Sequence, residues 1–389
     1  MKPFVFRTLA ATSVLAGTLL TSPAHAAKQY VVVVAEGLSP QVLDLGKSYL
    51  RKADEDPEQL TSFDSLIADG KTASVGANPI ASLQGLLETA ENSGYKTGLV
   101  TTGDISAVAP IFYTLTGDAA SALTSAGAKY EFLAGGGRAK LGADAGAKLK
   151  AAGGTYLSNA EELDTEITGR VLAAQSDADL DYAIDRDPEA QAGLAELATL
   201  ALDTLGEGDS PFVLVIHDTL IKRALDTKDS PALVEQFREL NSVLADVTAR
   251  RDDNADLGVA VLWTGGNVVP RFTTQAEPEQ QGALFVLSNL MLSFAGAGKT
   301  LTGADAEKIA AFADPVDGQY KGWKAPADVR QQIAAGTLNP ETAIRASYEP
   351  VLKLEYATQE AAPGAYTLGL NAPNGLEAAL KAAVSAPAK

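Results

Sequence analysis

The chain alternates short, continuous apolar runs with longer stretches in which apolar residues recur at helical spacing. Tyr30 to Val34 is an unbroken, β-branched run, and Gly98 to Thr101, Tyr130 to Ala134, Phe212 to Ile216 and Gly258 to Trp263 are similar in length and character. Runs without polar alternation predict strands buried on both faces. Between them, Leu83, Leu86, Leu87 and Ala90 predict a helix that stops at Gly94. Leu194, Leu197, Ala198, Ala201 and Leu205 predict another, with Asp187 as its N-cap and Pro188 in its first turn. Ser230-Pro231 opens a third, which runs to about Arg250. Strands alternating with helices predict an α/β protein whose largely parallel sheet is covered on both sides.

The first residues read differently. Lys2 and Arg7 precede the mostly apolar run Thr8 to Leu20, and Ala24-His25-Ala26 supplies the small-x-small pattern of signal-peptidase cleavage. The apolar core is about a dozen residues, short of the roughly 20 that a membrane span needs. The expectation is a signal peptide over 1–26, export to the periplasm or the medium, and a mature chain of one domain, 27–389, that does not span the membrane. No internal repeat or linker divides it, and Ser385 to Lys389 reads as a frayed tail.

The full chain carries a formal net charge of −18; losing Lys2 and Arg7 with the leader makes that −18 − 2 = −20. Such a surface suits solubility, or attraction for cations and basic proteins, and excludes nucleic acid as a partner. The absence of cysteine excludes disulfides and thiolate metal sites, so stability must come from a packed core.

In sheets of this kind, function sits on the loops beyond the carboxyl ends of the strands. Those positions hold Ala35-Glu36-Gly37-Leu38-Ser39, Thr101-Thr102-Gly103-Asp104, Gly135-Gly136-Gly137-Arg138, His217-Asp218 and Thr264-Gly265-Gly266-Asn267.

In this order the chain resembles the alkaline phosphatase family. Ser93-Gly94-Tyr95-Lys96-Thr97-Gly98-Leu99-Val100-Thr101-Thr102, followed by Pro110, is similar to the family's helix end, strand and metal loop. Phe132-Leu133-Ala134-Gly135-Gly136-Gly137-Arg138 resembles its triple-glycine arginine motif, and Gly70-Lys71-Thr72 the residues after its nucleophile helix. Phe212 to Ile216 and Val259 to Trp263 fall where its two late metal-site strands belong. The resemblance covers most of residues 28–270 and, more weakly, Tyr356 to Pro373. It implies a three-layer αβα sandwich and a homodimer. It also implies a serine nucleophile served by two zinc ions and a magnesium, which bind the phosphoryl oxygens and stabilise the leaving group.

Against that pattern most ligands are missing. The first family aspartate aligns with Glu36, which keeps a carboxylate, and the nucleophile pair with Asp64-Ser65, although Gly70 follows Ser65 at about half the family spacing. The magnesium loop has Ala107 and Ala109, and the phosphate-binding arginine is absent from Ile111 to Ala120. The acid and histidine block after Ile216 aligns with His217, Lys222, Arg223 and Asp226. The late aspartate-histidine pair is Gly265-Gly266, and the last histidine falls at Gln359 or Glu360.

His217 is the only histidine beyond the leader. It reads as a hydrogen-bonded structural residue, as a ligand with Asp218 or Asp226, or as the base of a triad with Ser65; alone it cannot build a multi-imidazole zinc centre. Lys222 and Arg223 read as solvated loop charges or as a metal-free anion site. Gly298-Lys299-Thr300 imitates a phosphate-binding loop, but Ser293 stands where that loop needs its first glycine. Gly135 to Gly137 read as a turn needing glycine conformations, or as amides offered to an anion.

The expectation is an exported pseudoenzyme of the cell envelope, without a cofactor, binding envelope proteins or a small phosphorylated ligand. The alternative is a divergent phosphomonoesterase using Ser65, with Glu36 and Asp64 holding magnesium, calcium or manganese, ions that suit oxygen-only donors. The segment 318–356, matched by no motif, reads as an inserted or divergent helical surface.

Overall fold

The computed structural model describes residues 29–53, 61–73, 75, 79–115, 117–313, 318, 320, 323, 326–359, 363–370 and 380. The predicted signal peptide and the tail after Ser385 lie outside them.

The strands are β1 (Gln29–Glu36), β2 (Lys71–Ala73), β3 (Lys96–Asp104), β4 (Phe132–Gly136), β5 (Thr155–Leu157), β6 (Val171–Ala174), β7 (Phe212–Asp218), β8 (Leu257–Thr264), β9 (Val268–Phe272), β10 (Leu354–Thr358) and β11 (Gly364–Leu368). Nine of them form one sheet in the order β2-β11-β8-β1-β7-β3-β4-β6-β5. Neighbours from β8 through β5 are parallel, while β11 runs antiparallel to both β8 and β2. A separate antiparallel pair joins β9 to β10.

The helices are α1 (Pro40–Ala53), α2 (Thr61–Asp69), α3 (Pro79–Ser82), α4 (Leu86–Asn92), α5 (Ile105–Phe112), α6 (Ala119–Thr124), α7 (Arg138–Leu141), α8 (Ala145–Ala151), α9 (Leu194–Gly206), α10 (Leu220–Thr227), α11 (Ser230–Asp253), α12 (Glu277–Leu287), α13 (Phe294–Leu301), α14 (Ala306–Phe312), α15 (Ala327–Ala334) and α16 (Pro340–Leu352). They divide between the two faces of the sheet. Val31, Val33 and Ala35 of β1 point into a core shared with α1, α2 and α9 to α16, whereas Tyr30, Val32 and Val34 point into one shared with α4 to α8. This is the three-layer αβα sandwich, and the unbroken apolar run of β1 exists because both its faces are covered. Among the described residues no helix is long and apolar enough to cross a membrane.

All five predicted strands are present. The helix expected from Asp187 begins later, at Leu194. Asp187 instead closes a turn, its carbonyl accepting from Ala190 and Gln191 at 3.1 and 2.9 Å. Helix α9 starts where Glu196 can accept from the Gly193 amide at 2.7 Å. The helix expected from Leu83 begins at Leu86, because Gly85 sits at φ +69° and interrupts it. In the 318–356 segment, α16 buries Ala343, Ile344 and Tyr348 in the main core, and Leu354 and Tyr356 of β10 pack into the same core.

Candidate functional site

The carboxyl ends of β1, β3, β7 and β8 meet at one edge of the sheet. Val34 lies beside His217 in the β1–β7 register, so Glu36, two residues on, projects from the same face as His217. Glu36 Oε1 and His217 Nε2 are 2.8 Å apart. The His217 ring is 1% exposed and meets the edge of Phe112, from α5, at 5.9 Å between centroids. Its Nδ1 has no hydrogen-bond partner among the described residues.

Asp218 projects to the opposite face and anchors a buried polar chain. Its Oδ1 accepts from the Leu220 amide at 2.7 Å, closing the entry to α10, and its Oδ2 accepts from Gln236 Nε2 at 3.2 Å. Gln236 Nε2 also donates to Glu239 Oε2 at 2.8 Å, and Glu239 pairs with Arg186 while accepting from the Leu194 amide at 2.8 Å. Thr102 Oγ1 accepts from the Thr219 amide at 2.8 Å and ties the end of β3 to the end of β7. Burial pushes the Asp218 carboxyl up to about 7, with the charge of Glu239 adding to the rise, while the Leu220 amide and Gln236 oppose it. Asp104 caps α5 through Ser106; its burial opposes ionisation, but hydrogen bonds from Ser106 and Lys140 outweigh it and hold the carboxyl below its usual range.

Gln236, Glu239 and Arg186 are absent from the sequence reading. A signal was there: Gln236 and Glu239 interrupt the apolar stripe of α11 at i, i+3 spacing, and polar residues on a buried helical face require partners.

The positions aligned with family metal ligands are otherwise engaged. Lys222 pairs with Asp226 one turn along α10. Arg223 lies over the Tyr182 ring, 5.3 Å from its centroid, and 3.8 Å from Asp179. Ala107 and Ala109 sit in α5. Gln359 donates its amide to Asn267 at 2.9 Å and accepts from Gln41 Nε2 at 3.2 Å; Glu360 lies outside the described residues. Asp64 pairs with Lys47, seven residues and so about 10 Å along α1 from its start. Asp64 and Glu36 are therefore held by different partners on different elements. Ser65 is the fifth residue of α2, past the free amides that a helix offers at its amino end.

The loops themselves are in close contact. Gly37 adopts φ +84°, donates its amide to Thr264 at 3.0 Å, and has no room for a side chain: a Cβ there would lie 2.8 Å from Lys222 Cα. A Cβ on Gly266 would lie 3.5 Å from Gly37 Cα. Among the described residues no group of three or more histidine, aspartate or glutamate side chains could hold a metal ion. The donors present do not fit the two-zinc, one-magnesium set, since Glu36 and His217 are turned on each other.

Two further motifs resolve. The amides of Gly137 and Arg138 donate to Ala178 and Ser176 at 2.7 and 2.8 Å, and Gly137 adopts φ +91°, so the triple glycine is a turn packed on the loop after β6. Gly298-Lys299-Thr300 lies inside α13, which Ser293 caps through the Gly296 amide at 2.7 Å; it is helix, not loop.

No protein-family model matches this sequence, and no curated protein matches it. Solved structures do. The Thermus thermophilus alkaline phosphatase superposes with a TM-score of 0.75 at 16% identity, covering 98% of this chain and 95% of that one. A cold-active alkaline phosphatase from the psychrophile Shewanella sp. superposes with a TM-score of 0.73 at 17% identity, covering 92% of this chain and 98% of that one. At that identity the likeness is one of architecture, and on it this protein carries the alkaline phosphatase fold.

Proposed function

We propose that this protein is an exported, non-catalytic user of the alkaline phosphatase fold that works by binding at the cell envelope. The observation that carries the reading is the Glu36–His217 contact at the sheet edge. Two of the side chains retained from an acid and imidazole donor set spend their facing atoms on each other, and a third, Asp226, is paired with Lys222. Packing supports it, since α10 rests directly on Gly37 where the family places metal chemistry. The leader pattern in residues 1–26 supports export.

The test is phosphomonoesterase activity of the exported protein beside Ser65→Ala, with zinc, magnesium, manganese or calcium added. No turnover above background in either protein is the expected result. Metal-dependent turnover abolished by the substitution would replace this reading with a divergent phosphomonoesterase, using Ser65 and a hard cation held by Glu36 and Asp64.

A further inference from the structure

Arg223 and Lys299 belong to two sequence features that are 76 residues apart, and the fold brings them to one cleft. The cleft, of about 600 Å³, opens between the loop after β6, α10, α13 and α14. Arg223, Lys299 and Lys308 line it, three cations in a chain whose formal net charge is −18. The acids on its wall are already occupied. Asp185 accepts from the Ser293 amide at 2.7 Å and from the Ser293 hydroxyl, and Asp181 accepts from Gln191 Nε2 at 3.2 Å. Burial raises the Asp185 carboxyl above its ordinary range, while the Ser293 hydrogen bonds and the charge of Lys299 partly offset that rise. Neither Lys299 nor Lys308 has an ion-pair partner among the described residues, whereas Lys47, Lys140, Lys148 and Lys222 each have one. The Tyr182 ring, which also lines the cleft, lies against the Arg223 guanidinium. It limits where that fork can point.

We propose that this cleft binds a small phosphorylated ligand directly through Arg223, Lys299 and Lys308, with no metal. Two ammonium groups and a guanidinium match the charge and oxygen count of a phosphate monoester better than those of a monocarboxylate. The volume admits a ligand of drug-like size rather than a bare ion alone. Arg223 stands in the first turn of α10, just past the end of β7, so the cleft flanks the sheet edge where ligands of α/β folds collect. The proposal deepens the binding reading above and rests on it.

The test is calorimetric titration of the exported protein with inorganic phosphate and with phenylphosphonate, which cannot be hydrolysed, in EDTA throughout. Benzoate serves as the monoanionic control. Both phosphoryl probes are expected to bind, benzoate more weakly. Arg223→Gln, Lys299→Ala and Lys308→Ala should each weaken phenylphosphonate by roughly tenfold, the scale of one charge-assisted hydrogen bond, with thermal midpoints unchanged. Lys150→Ala, on the far face, should not. No binding up to about 5 mM, near the limit of specific affinity, overturns the cleft and leaves the non-catalytic reading standing. Binding indifferent to all three substitutions, or binding only when zinc replaces EDTA, also overturns it. Hydrolysis of phenyl phosphate in a parallel assay would instead sink the non-catalytic reading alone.

Discussion

Glu36, at the end of β1, and His217, at the end of β7, are 181 residues apart in sequence and 2.8 Å apart through Oε1 and Nε2. Parallel pairing of β1 with β7 fixes that meeting, because Val34 and His217 are register partners. The pair satisfies one buried ring nitrogen and leaves Nδ1 without a partner among the described residues. It therefore behaves as a structural clasp across the two central strands, and its removal has a measurable cost.

His217→Ala deletes the ring from its place against Phe112 and strands the Glu36 carboxylate. We expect a loss of about 2–4 kcal/mol in urea unfolding, from the cavity and the lost hydrogen bond together. Glu36→Gln keeps an atom that can accept or donate at the same point and should cost no more than about 1 kcal/mol. Equal losses in the two variants would contradict the clasp.

Asp218 gives the protein a signature in pH. Its folded carboxyl is pushed by burial to about 7, against about 3.9 in an unfolded chain. Between those values the folded protein holds a proton that the unfolded chain has released, so stability falls as pH rises through this window and levels off above it. Asp229, pushed by burial to about 6, acts in the same direction over a narrower window. In Asp218→Asn, amides from Leu220 and Ile221 keep an oxygen acceptor while the charge is gone. The stability difference between variant and parent should shift in the variant's favour by on the order of 2–4 kcal/mol from pH 4 to pH 8. Parallel pH profiles of the thermal midpoint would show that Asp218 does not titrate as described.

Gly37 and Gly117 separate backbone cost from closure of the sheet edge. Both have positive φ, +84° and +80°, yet a Cβ at Gly117 meets nothing within 4 Å while one at Gly37 meets Lys222 Cα at 2.8 Å. Gly117→Ala should cost about 1 kcal/mol from conformation alone. Gly37→Ala should cost roughly 2 kcal/mol more, because backbone cannot move aside as a side chain does. Matching losses would mean that α10 does not rest on that loop.

Metal addition gives a further readout. A site with a dissociation constant of about 10 μM would stabilise the fold by about 2.7 kcal/mol at 1 mM ion. For a chain of this length that is roughly 3 °C in the thermal midpoint. We expect zinc, magnesium, manganese and calcium each to leave the midpoint in place. A rise of that size, lost in Glu36→Gln, would restore the metal-site reading.

Local patterns along the chain were enough for the class of the fold and for the residues that end its strands. Apolar runs such as Tyr30 to Val34 are local signals of a sheet covered on both faces, and they mark their own carboxyl ends, so Glu36 and His217 were legible as edge residues. Glycines reported their own turns at Gly94 and Gly137, both at positive φ. Helix starts were less legible. Asp187 has the chemistry of a cap, but its backbone closes a turn, and Glu196 and the buried Glu239 serve the start of α9 instead, accepting from the Gly193 and Leu194 amides. Partners were not legible at all. That Glu36 meets His217, that Asp64 meets Lys47, and that Arg223 shares a cleft with Lys299 are decided by strand order and helix packing. Those join residues whose separation along the chain carries no local signal, so only the tertiary structure could show that the retained donors face each other.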